Sequence, residues 1–195
     1  MKDRIVYRMG KRIYLRPILE EDMPLITVWI NDQEVAKYLA ISLPMGPQDE
    51  KKWFSSLSER TGKDVIFAIV LVENDELIGV MGLHHIDHQH GLATTGSYIG
   101  RKDLWGKGYG TEAKMLVLDY AFNTLGLRKI LSEVYDFNER SAKSLEKCGY
   151  VRQGVQKEHK WRNGRYADAY LYAVFMKDFL PRWEIYRKEF LGQKT

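Results

Sequence analysis

The stretch from Arg101 to Ala113, RKDLWGKGYGTEA, sets glycines, a lysine, a tyrosine and a threonine in a spacing suited to holding an anion. Gly106, Gly108 and Gly110 alternate with Lys107 and Tyr109, then run into a helical pattern with apolar positions at Leu116, Val117, Tyr120 and Ala121. The β-prone SYIG at Ser97 to Gly100 lies just upstream, so the order is strand, glycine-rich turn, helix. Such a turn bares backbone N–H groups beside the positive end of a helix. Glycine also lets a phosphate approach the main chain, because no Cβ stands in the way. The segment is not a P-loop, since no Gly-Lys-Ser/Thr follows a four-residue spacer, and it lacks the Rossmann glycine spacing. Taken alone it is either the cradle of a phosphorylated cofactor or a turn that only joins strand to helix.

Other reactive side chains are less persuasive. His84, His85, His88 and His90 cluster in sequence, but neighbouring strand positions face opposite ways and the segment reads as a hairpin end. Without a cysteine or a spaced carboxylate pattern beside them, no metal is expected. Cys148 is the single cysteine, which excludes an intrachain disulfide and suits a reducing cytoplasm. Within SLEKCGY it reads as a small buried side chain at a helix end rather than a nucleophile.

These residues need a scaffold, and 195 residues with 45% hydrophobic content suffice for one domain with a substantial core. The expected domain spans 1–195, with a core over about 11–176 and a C-terminal helix over about 177–191. A dispersed net charge of +4 gives no reason to expect direct nucleic-acid binding, and the aromatics of RKDLWGKGY are better explained by packing. MKDRIVYRMGKR lacks the apolar core of a signal peptide, and no apolar run is long enough to span a bilayer. The expected location is the cytoplasm, as a monomer or homodimer with no membrane partner.

The pattern predicts a first strand at Lys11–Pro17, and Glu20-Glu21-Asp22 opening a helix that carries Leu25, Ile26 and Trp29. A second helical piece runs through Tyr38, and another starts near Gln48 with Trp53, Phe54 and Leu57 on one side. Val65–Val72 is a strand buried on both faces, followed by a turn at Asn74-Asp75 and its partner LIGVMGLHHI. A hairpin around His88 to Gly91 leads to the fourth strand, which ends at Gly100, and Lys129–Asp136 is the fifth. Asn138 caps a short helix with Ala142 and Leu145, closed by Gly149. Two strands flank the Asn163-Gly164 turn, and a tail helix carries Phe179, Leu180, Trp183 and Tyr186.

This order resembles the GNAT acetyltransferase superfamily, most of all its branch of ribosomal-protein alanine and serine N-acetyltransferases. IYLRP with its downstream acids, WGKGYGTEA, NERSAKSLEKCGY from Asn138 to Tyr150, and RNGRYADAYLY from Arg162 to Tyr172 carry the resemblance. It implies an α+β fold in three αβα layers, with a mixed, mostly antiparallel sheet and helices on both faces. It also implies acetyl-coenzyme A as co-substrate and no metal. The pyrophosphate donors would be the amides of Gly106, Lys107, Gly108, Tyr109, Gly110 and Thr111, with the Thr111 hydroxyl available too. The pantetheine arm would lie near Tyr98, Ile99 and Arg101, with Asn138 bonding it from the fifth strand's side. Trp105 stands where the family's loop normally begins with Gln or Arg, a change of little weight because backbone groups do the binding.

The implied reaction is direct attack by a primary amine on the thioester within a ternary complex. An amide near Tyr98 or Ile99 would support the oxyanion. Many members place a tyrosine seven residues after the asparagine, where this chain has Leu145. Ser141 is then the donor to the coenzyme sulfur, or it merely caps the helix and touches the cofactor. The branch often has a glutamate before the fourth-strand glycine, but Thr94 and Thr95 precede Gly96. Glu133, His84 and His85 are candidate bases. The acceptor remains open among a protein N-terminus, a polyamine, an aminoglycoside and a small metabolite. The competing readings are a catalytically weak or inactive coenzyme-A-binding sensor and a nucleotide-binding protein using the glycine loop.

Overall fold

Alternation along the first long strands decides how the sheet is covered. The computed structural model describes residues 4–40, 44–59 and 62–192. Ile13 and Leu15 of β2 (Ile13–Pro17) enter one core and Tyr14 the other. In β3 (Val65–Leu71), Phe67, Ile69 and Leu71 join the first core while Ala68 and Val70 join the second. A strand that is apolar on both sides must be covered on both faces.

The short β1 (Arg8–Met9), β4 (Leu77–Asp87), β5 (Leu92–Ile99), β6 (Lys129–Tyr135), β7 (Val151–Arg162) and β8 (Arg165–Phe175) complete the sheet. Among the described residues it has eight strands in the order β1-β2-β3-β4-β5-β6-β8-β7. Its neighbours pair antiparallel except β5 with β6, which run parallel. The mixed, mostly antiparallel sheet expected from the sequence is present, and β1 moves each predicted strand up one in the count. A parallel pair needs a crossover, which α4 (Tyr109–Asp119) and a π-helical turn at Tyr120–Thr124 provide. The last hairpin turns on Asn163 and Gly164, whose φ values of 52° and 77° match the twist of a two-residue turn.

One face carries α1 (Met23–Asn31), α2 (Gln33–Ala36) and α3 (Pro47–Glu59), with Ile26, Trp29 and Val35 buried. The other carries α4, α5 (Glu139–Lys147) and α6 (Met176–Tyr186), with Leu116, Leu145, Phe179 and Trp183 buried.

Two local expectations need correction. Glu20–Asp22 forms a separate 3-10 turn, and Asp22 is buried instead of serving as a solvated first-turn acid. Its carboxylate takes both Arg16 Nη1 (2.6 Å) and Nη2 (2.7 Å) and the Leu19 amide (2.8 Å), tying the end of β2 to the start of α1. The helix after the glycine loop was expected to show a single apolar stripe, yet Glu112 to Leu118 are all buried. α4 lies on the sheet and is flanked by α5 and α6, so its whole circumference is covered.

Candidate active site

Parallel pairing of β5 and β6 stops early. Leu92, Ala93 and Thr94 pair with Lys129, Ile130 and Leu131, and no ladder continues beyond them. Side chains bridge the next level: Thr95 Oγ1 donates to the Leu131 carbonyl (3.3 Å) and Ser132 Oγ to the Thr95 carbonyl (3.2 Å). The Tyr150 hydroxyl seals this floor against Thr95 Oγ1 at 2.8 Å. Past it the strands splay around a cleft of about 800 Å³.

Strand parity says which groups face that cleft. The Gly100 amide donates to the Ile78 carbonyl at 2.9 Å, so even-numbered β5 residues turn their amides toward β4. The amides of Ser97 and Ile99 therefore point toward the β6 side, where the ladder has ended. The Ile99 carbonyl on that side already accepts the Trp105 indole N–H at 2.7 Å. The Tyr98 amide faces β4, which narrows the expected oxyanion donor to Ile99. The Tyr98 ring meets Trp29 edge-on at 6.5 Å, and burial pushes its phenol well above the usual range.

At the outer end, Gly108 is the residue before α4, with φ at 89°, a conformation that strains any residue bearing a Cβ. The first intrahelical bond runs from the Glu112 amide to the Gly108 carbonyl at 3.0 Å. The amides of Tyr109, Gly110 and Thr111 precede that bond and have no intrahelical acceptor, which makes the turn an anion site. Lys107 differs from its neighbours, because its amide donates to the Leu104 carbonyl at 3.4 Å. The Thr111 hydroxyl is not idle either, since it meets Ser144 Oγ at 3.0 Å.

Arg12 and Glu112, which the motif reading passed over, fix the loop. The Arg12 amide and Nε donate to the buried Glu112 carboxylate at 2.8 and 2.9 Å. Arg12 Nη1 also donates to the Lys107 carbonyl at 2.9 Å, and its guanidinium lies 4.5 Å from the centre of the Tyr109 ring. Arg101, expected beside the cofactor, is turned away. Its guanidinium donates to Glu76 at 2.5 Å and to Asp103 at 2.8 and 2.9 Å, and these partners hold its pKa above the ordinary arginine value.

The opposite wall is α5. Asn138 caps it, its side-chain oxygen accepting the Ser141 amide at 3.2 Å, and Ser141 lines the cleft from the first turn. Leu145 is fully buried in the core and presents no hydroxyl. Past Cys148, Gly149 adopts φ 93°, and the Tyr150 amide returns to the Leu145 carbonyl at 3.1 Å. As expected, Cys148 is buried at a helix end, and burial pushes its thiol up to about 12.

His84, half-buried, and His85, exposed, both line the cleft, and so does the exposed Glu133. Gly82 and Gly96 face each other across β4 and β5, and the His84 imidazole lies over both. A Cβ on Gly82 would strike its Nε2, and one on Gly96 would come within 3.5 Å of it. Asp64 backs this ring, with one carboxylate oxygen 3.8 Å from His84 Nδ1 and the other accepting the His85 amide at 2.9 Å. His90 instead binds Asp87 in the turn at 2.8 Å. Among the described residues, no three His, Cys, Asp or Glu side chains are placed to hold a metal ion.

A largely uncharged wall is formed by Val35, Tyr38, Leu39, Ala40 and Tyr135. Arg162, from the last hairpin, donates to the Leu39 and Ala40 carbonyls at 3.2 and 2.8 Å. Arg140 stacks over Trp105 at 4.0 Å and Tyr38 at 5.2 Å, joining this wall to the start of the glycine loop.

Residues 12–151 match the model of the acetyltransferase (GNAT) domain. The uncharacterized N-acetyltransferase p20 of Bacillus licheniformis is 29% identical over 171 residues, covering 87% of this chain and 96% of that one. The spermidine N-acetyltransferase of Vibrio cholerae, solved with coenzyme A and spermine, superposes with a TM-score of 0.78 at 25% identity. That match covers 87% of this chain and 98% of the other. Mycobacterium smegmatis RimJ, solved with coenzyme A disulfide, has the same fold, with a TM-score of 0.80 at 20% identity over 93% of this chain and 90% of its own. Among the described residues, no helix is long and apolar enough to cross a membrane.

Proposed function

The chain belongs to the GNAT acetyltransferase family, and from that premise we propose that it acetylates a primary amine carried on an uncharged body, such as a peptide N-terminus. The observation that carries this reading is the acceptor wall. Val35, Tyr38, Leu39, Ala40 and Tyr135 line it, and among the described residues the cleft's carboxylates are Glu133 on β6 and Glu139 in the first turn of α5. A polycation gains affinity from several carboxylates spaced along its path. A neutral chain asks only for apolar contact and one anion near its terminal ammonium, which Glu133 supplies.

The cleft suits acetyl-coenzyme A. Free amides at the α4 N-terminus fit a diphosphate, the unpaired edge of β5 fits a peptide-like arm, and the floor at Thr95 and Ser132 closes the far end. When bound, the cofactor supplies an acetyl thioester. The Tyr109, Gly110 and Thr111 amides hold the phosphates, and Asn138 borders the arm. The Ile99 amide donates to the carbonyl oxygen as negative charge develops there. Ser141 donates to the sulfur from α5. His84, backed by Asp64, takes the proton that the acceptor nitrogen must lose, and Glu133 orients that ammonium beforehand.

Thiol release from acetyl-coenzyme A tests this with peptides bearing free N-termini, spermidine and an aminoglycoside as acceptors. The expected result is a kcat/KM for at least one peptide about tenfold or more above that for spermidine. A preference for spermidine or the aminoglycoside overturns the acceptor reading. Coenzyme A binding without thiol release from any amine replaces it with the sensor.

A further inference from the structure

α4 carries a lysine where its surroundings offer no counter-charge. Lys114 is 4% exposed, inside the helix that follows the glycine loop, and it lines the cleft. Its ammonium donates to Ser97 Oγ at 3.2 Å, and among the described residues no carboxylate lies within ion-pair distance of it. Burial pulls its pKa below the ordinary lysine value. Cys148, whose charge would bear on Lys114, is itself pushed up to about 12 by burial, so its thiol stays protonated and offers no anion. The Tyr150 hydroxyl is committed to Thr95 and likewise stays protonated through burial.

An isolated buried ammonium is costly, and an apolar residue of similar shape would serve packing better. Its position suggests what offsets that cost. Ser97 lies between the cleft floor at Thr95 and the cleft-facing Ile99 amide, while Gly110 of the anion turn sits beside Ile99 at the other end. A chain anchored by its phosphates at α4 and running inward along β5 brings its far end to Ser97 and Lys114. On the reading of this cleft as a coenzyme A site, we infer that Lys114 is a cofactor-binding residue whose ammonium pairs with the coenzyme sulfur as its thiolate. The pair is the same whichever partner brings the proton, since a thiol can pass its proton to a neutral amine. The same charge suits transfer: when the bond from acetyl carbon to sulfur breaks, the electron pair stays on sulfur and meets the ammonium. The proton given up by the acceptor amine leaves through His84 to solvent. The buried Leu145 cannot supply this stabilisation, and Ser141 supplies only a neutral hydroxyl.

The test compares coenzyme A with desulfo-coenzyme A by calorimetry on the wild-type protein, Lys114→Met and Lys114→Gln at about pH 8. Wild type is expected to bind coenzyme A about tenfold more tightly than the desulfo analogue, and Lys114→Met to hold the two within about twofold. Binding of coenzyme A to wild type should also raise the ultraviolet absorbance of a thiolate, and Lys114→Met should abolish that rise. The melting temperature of the free Lys114→Met protein should increase, because an uncompensated buried charge is gone. Equal weakening of both ligands places the lysine on the arm and overturns the inference, as does an unchanged preference in both variants. Failure of wild type to bind coenzyme A overturns the reading of the cleft, and this inference with it.

Discussion

The glycine loop and the Tyr38–Ala40 wall border one cleft but are built by opposite means. At the loop, the Tyr109, Gly110 and Thr111 amides are adjacent in sequence, and their direction follows from helix geometry once Gly108 turns the chain. Arg12 then locks them through Glu112 and the Lys107 carbonyl. The wall has no such local logic. It depends on Arg162 and Tyr135 reaching the carbonyls of residues 39 and 40 from strands far along the chain. A donor shared by a family can be gripped by backbone, which tolerates drift in side chains. An acceptor that differs between members has to be gripped by side chains on separate elements.

That contrast can be broken by attacking each side separately. The largest effect is expected from Asp22→Ala, which strips the buried Arg16 of its bidentate partner where the end of β2 meets the start of α1, the helix that leads to the acceptor wall. Denaturant unfolding should show a loss of about 3–5 kcal/mol, the cost of leaving one charge of a buried pair alone. Catalysis at a temperature where the variant remains folded should show a raised acceptor KM with less change for acetyl-coenzyme A. A loss below about 1 kcal/mol would mean that the pair behaves like a solvated one.

Next comes Gly108→Val. A β-branched residue at φ 89° costs about 1–3 kcal/mol locally and turns the α4 amides away from the phosphates. Coenzyme A affinity should fall about a hundredfold while acceptor KM holds. Unchanged affinity in a folded variant would remove the loop from the donor site. Ser141→Ala should have the smallest effect, lowering kcat about tenfold with little change in the KM for acetyl-coenzyme A. A variant with normal kcat would leave Ser141 as a first-turn residue held by Asn138 and nothing more.

Glycine spacing, strand alternation and the Asn138 to Tyr150 block made the donor end and the sheet legible, because each is a local pattern with one geometric solution. Lys114 was hidden inside α4, since a lysine in an amphipathic pattern reads as solvent-facing until flanking helices cover it. Arg12 and Glu112 were invisible as a pair, being 100 residues apart. Ser97 and Ile99 could be separated from Tyr98 only once the β4–β5 register was known. Arg101 lies just past the strand along which the pantetheine arm was expected, but Asp103 and Glu76 hold its guanidinium, two partners that the motif does not pair with it.

From the residue string alone follow the anion turn, the helix that completes it, the α5 cap and the absence of a tyrosine at Leu145. These are short-range consequences of φ, of helix dipoles and of apolar period. Folding in three dimensions fixes where the β5–β6 ladder stops, which amides then face open space, and which charges find partners. Those outcomes depend on distant residues meeting at ångström distances, and no local pattern encodes them. Lys114 sits on that boundary: its identity is plain in the sequence, and its unpaired burial beside Ser97 exists only in the folded chain.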